Sequence, residues 1–401
     1  MRQLFFLIIC ISHNTFSQID IKTPILKPDI ILEYDIALKY NNPVISKKVA
    51  KETLYNEDII KHRIDSLNDL TPLNLVYNKV VAQHIKFYLI QRKDQVSKLL
   101  SLAEYYFPIF EKYLDQNELP LELKYLPIIE SSLNANARSY AGAVGLWQFM
   151  YPTAKEYGLR INSYLDERKD VYKSTQAACS YLSKAHKVFN DWDLALSSYN
   201  AGRRNITKAI RRSGGVFNYW ELRPFLPKET RNYIPSFIAA LYVMNFAAEH
   251  GIYKSNENIF VSYEIDTVYV KRPIKMSHLA EILQVDTLLL ERLNPAYRIK
   301  LIPSIKAENF PIVLPYDKVG LFITNEETIY QKLESMELAE KLDYPEFTDI
   351  EKIRYKVKSG DYLGKIAKKN QCTVKDIMLW NDLKSHNIKV GQRLNIYKTV
   401  K

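Results

Sequence analysis

The sequence predicts a multi-domain protein that is mainly α-helical and ends in small units of mixed strands and helices. At 401 residues the chain is too long for one compact core. Apolar residues recur with helical spacing from about Val76 to Ala248. Past His250 the spacing becomes strand-like, and an arrangement of strand, helix, helix and strand occurs twice.

The first 17 residues have the pattern of a cleaved secretory signal peptide. Arg2 precedes an apolar run from Leu4 to Ile11, and small residues stand at Thr15 and Ser17, before the expected cleavage site. The run is too short to span a bilayer. We therefore expect the mature chain to begin at Gln18 and to act in the periplasm or cell envelope.

Cys10 raises the alternative of a lipid anchor. Its position is similar to that of a lipoprotein cysteine, but Ile9 stands where such signals have a small residue. We therefore favour simple cleavage over lipidation. Residues 18–70 are polar and interrupted by prolines, which predicts an extension lying on the next domain.

Charge and cysteine usage narrow the classes of partner. The net charge of +11 suits a polyanion. Export argues against nucleic acid and for the anionic bacterial envelope. Cys179 and Cys372 lie in different expected domains, so two free thiols are favoured over one disulfide. The seven histidines show no metal-site spacing, and we expect neither a metal nor a cofactor.

Glu130 is the first candidate for chemistry. Leu123, Leu126, Pro127 and Glu130 fall at i, i+3, i+4 and i+7, so a helix would place the acid on its apolar stripe. Loss of hydration would raise the pKa of this carboxyl, as a general acid needs. A buried glutamate satisfied by hydrogen bonds, or an exposed one at a helix end, is the competing interpretation. Pro127 is expected to bend this helix.

A glycine-bracketed loop follows the acid. Gly142 and Gly145 allow positive φ and close approach of a ligand. Trp147 or Phe149 could stack on a sugar, although each is better explained singly as a hydrophobic anchor. Gln148 offers both a donor and an acceptor.

Further helices are expected up to Ala248. The expected helices are Pro152–Tyr157, Val171–Val188, Leu194–Asn200 capped by Asp193, and Glu229–Ala248. A run of cations follows Gly202 and forms either a solvated face or a rim that suits an anionic polymer. It consists of Arg203, Arg204, Lys208, Arg211 and Arg212.

The two C-terminal copies are aligned by Asn294 with Asn381 and by Leu290 with Ile377. An acid-rich stretch between the copies, 321–351, is expected to be a helical linker. In the last copy we expect Asp361 to cap the first helix, Thr373 and Asp376 to form a capping-box variant, and Gly391 to turn into a strand from Arg393 to Tyr397.

Four ordered segments carry a resemblance to a known family. They are Glu130-Ser131, Gly145-Leu146-Trp147-Gln148-Phe149-Met150, Ser198-Tyr199-Asn200-Ala201-Gly202 and Glu229-Thr230-Arg231-Asn232-Tyr233-Ile234. Together they resemble the motifs of lytic transglycosylases with a goose-lysozyme-like fold, in particular the membrane-bound lytic murein transglycosylase D group. The last 50 residues resemble a LysM domain, a βααβ module that binds glycans containing N-acetylglucosamine.

The resemblance implies the domain plan. It has a signal peptide at 1–17, an extension at 18–70, a lysozyme-like catalytic domain at 71–250, a degenerate LysM-like unit at 251–320, a linker at 321–351 and a LysM domain at 352–401. We expect a monomer.

The resemblance also implies cleavage of the β-1,4 bond between N-acetylmuramic acid and N-acetylglucosamine in peptidoglycan, with 1,6-anhydro ends. Glu130 would be the acid and then the base. The resemblance implies glycan contacts for Ser139, Gln148, Met150, Tyr199, Asn200 and Tyr233. Ser131 and Glu229 would support the acid, and Gly360, Asp361 and Asn381 would contact glycan in the LysM domain.

Three positions depart from the family pattern. Ser198 replaces alanine, Leu133 replaces an aromatic residue that would form one wall of the cleft, and Tyr362 replaces a threonine beside the LysM groove. Two other functions stay open: a hydrolase of the same fold that delivers water, and a non-catalytic LysM wall-binding protein.

Overall fold

The computed structural model describes residues 55–255, 264–303, 308–340, 349–370 and 385–400, together with 372–374, 377, 378, 381 and 383. The expected signal peptide, Cys10, Trp380 and the capping residue Asp376 lie outside the described residues. Among the residues it describes, no helix has both the length and the apolar character to cross a membrane.

The first part of the structure, residues 57–255, is a helical domain. Its α-helices are α1 (Glu57–Asn68), α2 (Lys79–Lys86), α3 (Lys93–Gln116), α4 (Leu126–Ser131), α5 (Tyr151–Glu156), α6 (Val171–Phe189), α7 (Trp192–Ala201), α8 (Arg203–Arg212), α9 (Tyr219–Leu222) and α10 (Tyr233–Phe246). Short segments of other helical type are a π-helix at Phe87–Gln91 and 3₁₀ turns at Leu121–Tyr125, Arg223–Phe225, Thr230–Asn232 and Ala248–His250.

Helix α10 is the centre of this domain. Ten of its side chains, from Tyr233 to Val243, are buried, and it contacts α2, α4 and α7. A helix that is apolar on all sides must be covered on all sides. The position of Tyr233, at its first turn, is therefore set by the whole core.

The segment before the acid differs from the expected bent helix. A 3₁₀ turn at Leu121–Tyr125 ends where α4 begins, and Pro127 stands in the first turn of α4. Proline lacks the N–H that this turn leaves unpaired, so Pro127 starts a helix instead of bending one. Glu130 consequently lies in the last turn of a six-residue helix.

The N-terminus of α7 also differs from the expectation. Asp191, not Asp193, caps the helix, because its side chain accepts from the backbone N–H of Leu194 at 2.8 Å. Asp193 is buried in the first turn, two residues after the cap, and accepts from Asn74. Both residues suit a cap, and only the path of the chain distinguishes them.

The middle unit, residues 264–340, surrounds a second core. Strand β1 (Ile265–Val270) pairs antiparallel with β4 (Phe310–Pro315), and β2 (Ile274–Lys275) pairs with β3 (Leu301–Ile302). Helices α11 (Met276–Leu283) and α12 (Thr287–Leu293) lie between these strands in sequence.

The expected linker is helical, but its helices belong to the core of the middle unit. Helices α13 (Tyr316–Thr324) and α14 (Glu326–Glu340) contribute buried Val319, Phe322, Ile329 and Leu333 to that core. Few apolar residues stand among the acidic residues of these helices. For that reason the sequence pattern indicated a solvent-exposed linker.

Backbone hydrogen bonds join the middle unit to the helical domain. The N–H of Arg298 donates to the carbonyl of Tyr164 at 2.8 Å, and the N–H of Asp166 donates to that of Ala296 at 2.9 Å. The side chains of Tyr164 and Leu165 are part of the middle core. The loop at 160–170 is thus shared between the two.

The C-terminal unit, residues 349–400, contains a third core. Strand β5 (Asp349–Lys356) pairs antiparallel with β6 (Arg393–Val400), and α15 (Leu363–Lys369) packs against them through Leu363 and Ile366. Gly391 has φ +85° and precedes β6, as expected.

Asp361 does not cap α15. Its Oδ2 accepts from the backbone N–H of Lys358 and from the Tyr355 hydroxyl, both at 2.8 Å. The N-cap position belongs to Tyr362. The aspartate closes the preceding turn, because a short acidic side chain can bond the nearest free N–H on either side.

The alignment of the two C-terminal copies is supported by matching contacts. Asn294 Nδ2 donates to the carbonyls of Leu290 and Val313, and its Oδ1 accepts from Val313 N–H. Asn381 bonds Ile377 and Asn395 in the same way. Cys179 and Cys372 are free thiols. The predicted fold class, multi-domain and mainly helical with small sheet units at the C-terminal end, is confirmed.

Candidate active site

Glu130 and Tyr233 meet at the centre of the helical domain. The Tyr233 hydroxyl donates a hydrogen bond to Glu130 Oε1, across 103 residues of sequence. Tyr233 is buried, whereas Glu130 is half-buried at the end of α4. The Glu130 carboxyl is therefore held by the core through Tyr233.

The pKa of Glu130 is raised from 4.5 to about 7. Burial is the largest cause, the Tyr233 hydrogen bond opposes it, and the charge of Glu229 adds to it. A carboxyl with this pKa holds a proton in a large fraction of molecules at neutral pH. Of the three interpretations drawn from sequence, the geometry fits the inward-facing acid.

Ser131 joins the acid helix to the glycine loop. Its Oγ lies 3.0 Å from the Pro127 carbonyl, one turn back, and 2.9 Å from the carbonyl of Leu146. Gly145 in this loop has φ +90°, and a Cβ there would lie 1.8 Å from the carbonyl oxygen of Arg168. Only glycine fits this position, both for its backbone angle and for its space.

The aromatic residues of the loop are anchors. Trp147 is fully buried, donates from Nε1 to Thr175 at 2.9 Å and contacts Phe110 edge-on. Phe149 is buried as well. Neither can stack on a sugar, in agreement with the interpretation favoured from sequence.

The polar residues of the loop have mixed positions. Gln148, at φ +48°, donates to the Gly145 carbonyl at 2.8 Å and is half-buried. Met150 is 39% exposed. Ser139 Oγ accepts from the N–H of Ala143 at 3.0 Å, so it closes the turn around Gly142.

Tyr199 and Asn200, at the end of α7, tie the remaining motifs to the site. The Tyr199 hydroxyl donates to the Trp147 carbonyl at 2.8 Å. The pKa of Tyr199 is raised, first by burial and then by the charge of Glu130, which places the ring near the acid. Asn200 Oδ1 accepts from Thr230 at 2.8 Å, next to exposed Glu229.

The ion pair of Asp166 and Arg168 supports this site and was missed from the sequence. Arg168 binds Asp166 through Nε and Nη2, at 2.8 and 2.7 Å, and both residues are buried. Its Nη1 lies 3.3 Å from the Gly142 carbonyl. The run of opposite charges in Asp166-Glu167-Arg168-Lys169-Asp170 could have indicated an ion pair, but such a run is more often a solvated loop.

The three residues expected to bind glycan in the C-terminal unit do not form one exposed set. Gly360 is exposed at φ +78°. The carboxyl of Asp361 and the amide of Asn381 already bond the backbone. Tyr362 is 64% exposed, and its ring lies 3.1 Å from the position a Cβ would take at Gly364.

Comparisons with known families agree with this domain order. The transglycosylase SLT domain matches residues 107–218, the LysM-like domain of lytic transglycosylase MltD matches 264–331, and the LysM domain matches 355–396. The middle match continues into α14, in keeping with the packing of α13 and α14.

Related proteins carry similar names. The chain is 27% identical over 336 residues to the membrane-bound lytic murein transglycosylase D of Escherichia coli strain K12, which covers 82% of this chain and 71% of that protein. Among solved structures, it matches the 70-kDa soluble lytic transglycosylase of E. coli at 15% identity and a TM-score of 0.33, covering 57% of this chain and 47% of that one.

A lytic transglycosylase of Pseudomonas aeruginosa matches at 17% identity and a TM-score of 0.31, over 59% of this chain and 39% of that one. The chain thus spans less than half of either solved structure. The resemblance drawn from the four motifs is confirmed, as is the prediction of an enzyme. The chain is an enzyme with a transglycosylase SLT domain, an MltD-type LysM-like domain and a C-terminal LysM domain, and it is similar to lytic transglycosylases in this order of domains.

Proposed function

We propose that this enzyme cleaves the β-1,4 bond between N-acetylmuramic acid and N-acetylglucosamine in peptidoglycan and leaves 1,6-anhydro-N-acetylmuramic acid ends. The observation that supports this most is the Glu130 carboxyl, whose pKa is about 7 and which accepts from Tyr233 beside the Gly145 loop. One group with such a pKa can both release and accept a proton at neutral pH.

In the first step Glu130 acts as the acid. Its proton passes to the bridging oxygen as the C1–O4 bond breaks, and positive charge develops at C1. The acetamido group of the same sugar stabilises that charge. Because Tyr233 donates to the Glu130 carboxylate, the charge left on the enzyme is stabilised while the sugar is activated.

In the second step Glu130 acts as the base. It takes the proton from the C6 hydroxyl of the muramic acid, whose oxygen bonds to C1 and closes the anhydro ring. The nucleophile is tethered to the reacting carbon, which favours this reaction over attack by water. Among the described carboxylates, Glu229 is the one whose charge raises the pKa of Glu130, and it is exposed. Because the nucleophile is the sugar's own hydroxyl and Glu130 deprotonates it, this mechanism needs no second carboxylate to activate water.

The test is product analysis by mass spectrometry of purified peptidoglycan digested in ¹⁸O-labelled water. We expect anhydro ends without ¹⁸O. Reducing ends that carry one ¹⁸O would instead identify the enzyme as a hydrolase of the same fold.

The role of Glu130 is tested by Glu130→Gln, with Glu122→Gln as a matched loss of a carboxylate in the same segment. We expect Glu130→Gln to lower kcat at least about 1,000-fold and Glu122→Gln to keep near-wild-type kcat. Equal release of fragments by wild type and Glu130→Gln would remove Glu130 from the mechanism. No release by the wild type would leave only wall binding, the non-catalytic alternative.

We propose roles for the other residues of the motifs as well. Gln148, Met150, Tyr199 and Asn200 would line the glycan groove, with Ser139, Ser131 and Glu229 holding its walls. In the C-terminal unit Gly360 and exposed Tyr362 are better placed to contact glycan than Asp361 or Asn381, whose polar atoms bond the backbone.

We also propose that the chain acts on peptidoglycan glycan strands in the cell envelope after export, as a monomer and without a cofactor. The pattern of residues 1–17 supports export by a cleaved signal. Release of the chain from washed envelopes by salt alone, and not only by detergent, would agree with cleavage and argue against a lipid on Cys10.

A further inference from the structure

A polar cavity lies behind the glycine loop, at the joint between the helical domain and the middle unit. Its volume is about 240 Å³. Arg138, Gly142 and Val144 from the loop line one side, Asp166, Arg168 and Lys169 another, and Arg298 of the middle unit a third. None of these residues belongs to the set that contacts Glu130.

The charges on the walls of this cavity do not balance. Four cationic side chains, those of Arg138, Arg168, Lys169 and Arg298, surround one carboxylate, that of Asp166. Arg168 already binds both oxygens of that carboxylate. Among the described residues, no carboxylate lies within ion-pair distance of Arg138 or Lys169.

Burial and the neighbouring cations act on the ammonium group of Lys169. The pKa of its ammonium group is lowered, first by burial and further by the charges of Arg298, Lys300 and Arg168, against which Asp166 acts in the other direction. Its Nζ donates to Asn136 Oδ1 at 3.0 Å, a neutral partner. An anion in the cavity would relieve this repulsion.

The cavity is also built with fixed walls. Arg168 Nη1 lies 3.3 Å from the Gly142 carbonyl, and Arg298 Nη1 donates to the Asn162 carbonyl at 2.7 Å. The backbone of Arg138 is in a β-bridge with Val144. The guanidinium of Arg168 is therefore a fixed positive charge in the wall, and a carboxylate that enters the cavity would accept hydrogen bonds from Arg138 and Lys169.

We propose that this cavity binds a carboxylate of the peptide that substitutes the muramic acid residues of the glycan. The inference rests on the proposed function, because it takes its ligand from the same polymer. The cavity and the proposed glycan groove share the glycine loop, since Gly142 lines the cavity and Gln148 is assigned to the groove. A strand that bears peptides would then be held at two places, and a bare strand at one.

The first experiment measures KM for peptide-bearing glycan strands and for the same strands freed of peptide by an amidase. We expect the wild type to have a KM about tenfold lower for the peptide-bearing strands, the effect of one additional charge-assisted contact. Arg138→Gln, and likewise Lys169→Gln, should abolish most of this difference. Arg204→Gln, which removes an exposed arginine of α8, should keep it.

The second experiment needs no cleavage. The released peptide is titrated calorimetrically into the wild type, Arg138→Gln and Arg204→Gln, and we expect a Kd about tenfold weaker for Arg138→Gln alone. Equal binding by wild type and Arg138→Gln would overturn the inference, as would competition by acetate or inorganic phosphate at the same concentration as the peptide. Peptide binding as expected without cleavage of either strand would instead refute the proposed function and leave the site standing.

Discussion

The hydroxyl of Tyr233, in the first turn of α10, donates to Glu130 in the last turn of α4, and this bond lowers the pKa that burial raises. Burial raises the pKa of Glu130, while the hydrogen bond favours its charged form and lowers the pKa. The value of about 7 is thus the balance between burial and the charge of Glu229, which raise the pKa, and the Tyr233 hydrogen bond, which lowers it. Four predictions on catalysis and stability follow from this geometry and its supports.

Tyr233→Phe should move the alkaline limb of the rate profile. Without the donated bond the charged form of Glu130 loses stabilisation, so its pKa rises above 7 and kcat/KM falls off at a higher pH. The carboxylate formed during reaction is also less stable, so we expect kcat to drop about 10- to 100-fold. Rates measured from pH 5 to pH 9 test both points.

Tyr242→Phe is the control for this change. Tyr242 is a fully buried tyrosine of the same helix, and its hydroxyl bonds His250 rather than Glu130. It should lower stability without moving the profile. An unchanged profile in Tyr233→Phe would show that the bond does not act on the acid.

The stability of Glu130→Gln relative to the wild type should depend on pH. The folded pKa of about 7 is higher than the ordinary 4.5, so between these values the folded protein binds more protons than the unfolded chain. Wild-type stability therefore falls as pH rises through this window. We expect Glu130→Gln to be more stable at pH 8 by about 1–3 kcal/mol, with the gap closing toward pH 5. Urea unfolding at both values tests this, and a constant gap would contradict it.

Gly145→Ala should disrupt the loop beside the acid. Its Cβ would lie 1.8 Å from the Arg168 carbonyl, which is backbone and cannot move aside, and its φ is +90°. We expect the free energy of unfolding to fall by roughly 3 kcal/mol or more, and most of the activity to be lost as well. Gly142→Ala, at φ +89° with nothing within 4 Å, carries the backbone strain alone and should cost roughly 1–2 kcal/mol. If thermal unfolding shows the same loss of stability in both variants, the contact with the Arg168 carbonyl does not contribute to the effect of Gly145→Ala.

Asn294→Ala should destabilise the middle unit. It removes three hydrogen bonds and leaves both polar groups of Val313 short of a buried partner. We expect the free energy of unfolding to fall by roughly 2–4 kcal/mol. Asn325→Ala, which removes one exposed bond to Leu321, should change stability by about 0.5 kcal/mol or less. Because the middle unit holds the loop at 160–170, Asn294→Ala should also lower kcat. Limited proteolysis reports whether the middle unit is folded, and full activity in a variant whose middle unit is unfolded would refute that link.

Much of the chain could be predicted from local patterns. Helices α5, α6 and α10 and the strands β1 and β6 follow periodicity and turn residues, which report on short stretches of backbone. The errors came where two residues could fill one role. Asp191 and Asp193 are both good caps, and Asp361 could close the turn before α15 or cap the helix.

Partnerships across the fold could not be predicted in the same way. The ion pair of Asp166 and Arg168 has the appearance of a surface run, and its burial depends on the middle unit covering the loop. Likewise, α13 and α14 have too few apolar positions to reveal that they close a core. Such contacts depend on what is brought alongside, and periodicity does not contain that information.

By itself, the sequence predicted the domain order, the candidate acid and the motifs around it, because each depends on adjacent residues or on fixed spacing. Only the tertiary structure decided the pKa of Glu130, the partner that holds it and the cationic cavity behind its loop. These depend on desolvation and on charge at a few ångströms, and both arise only when distant segments pack together.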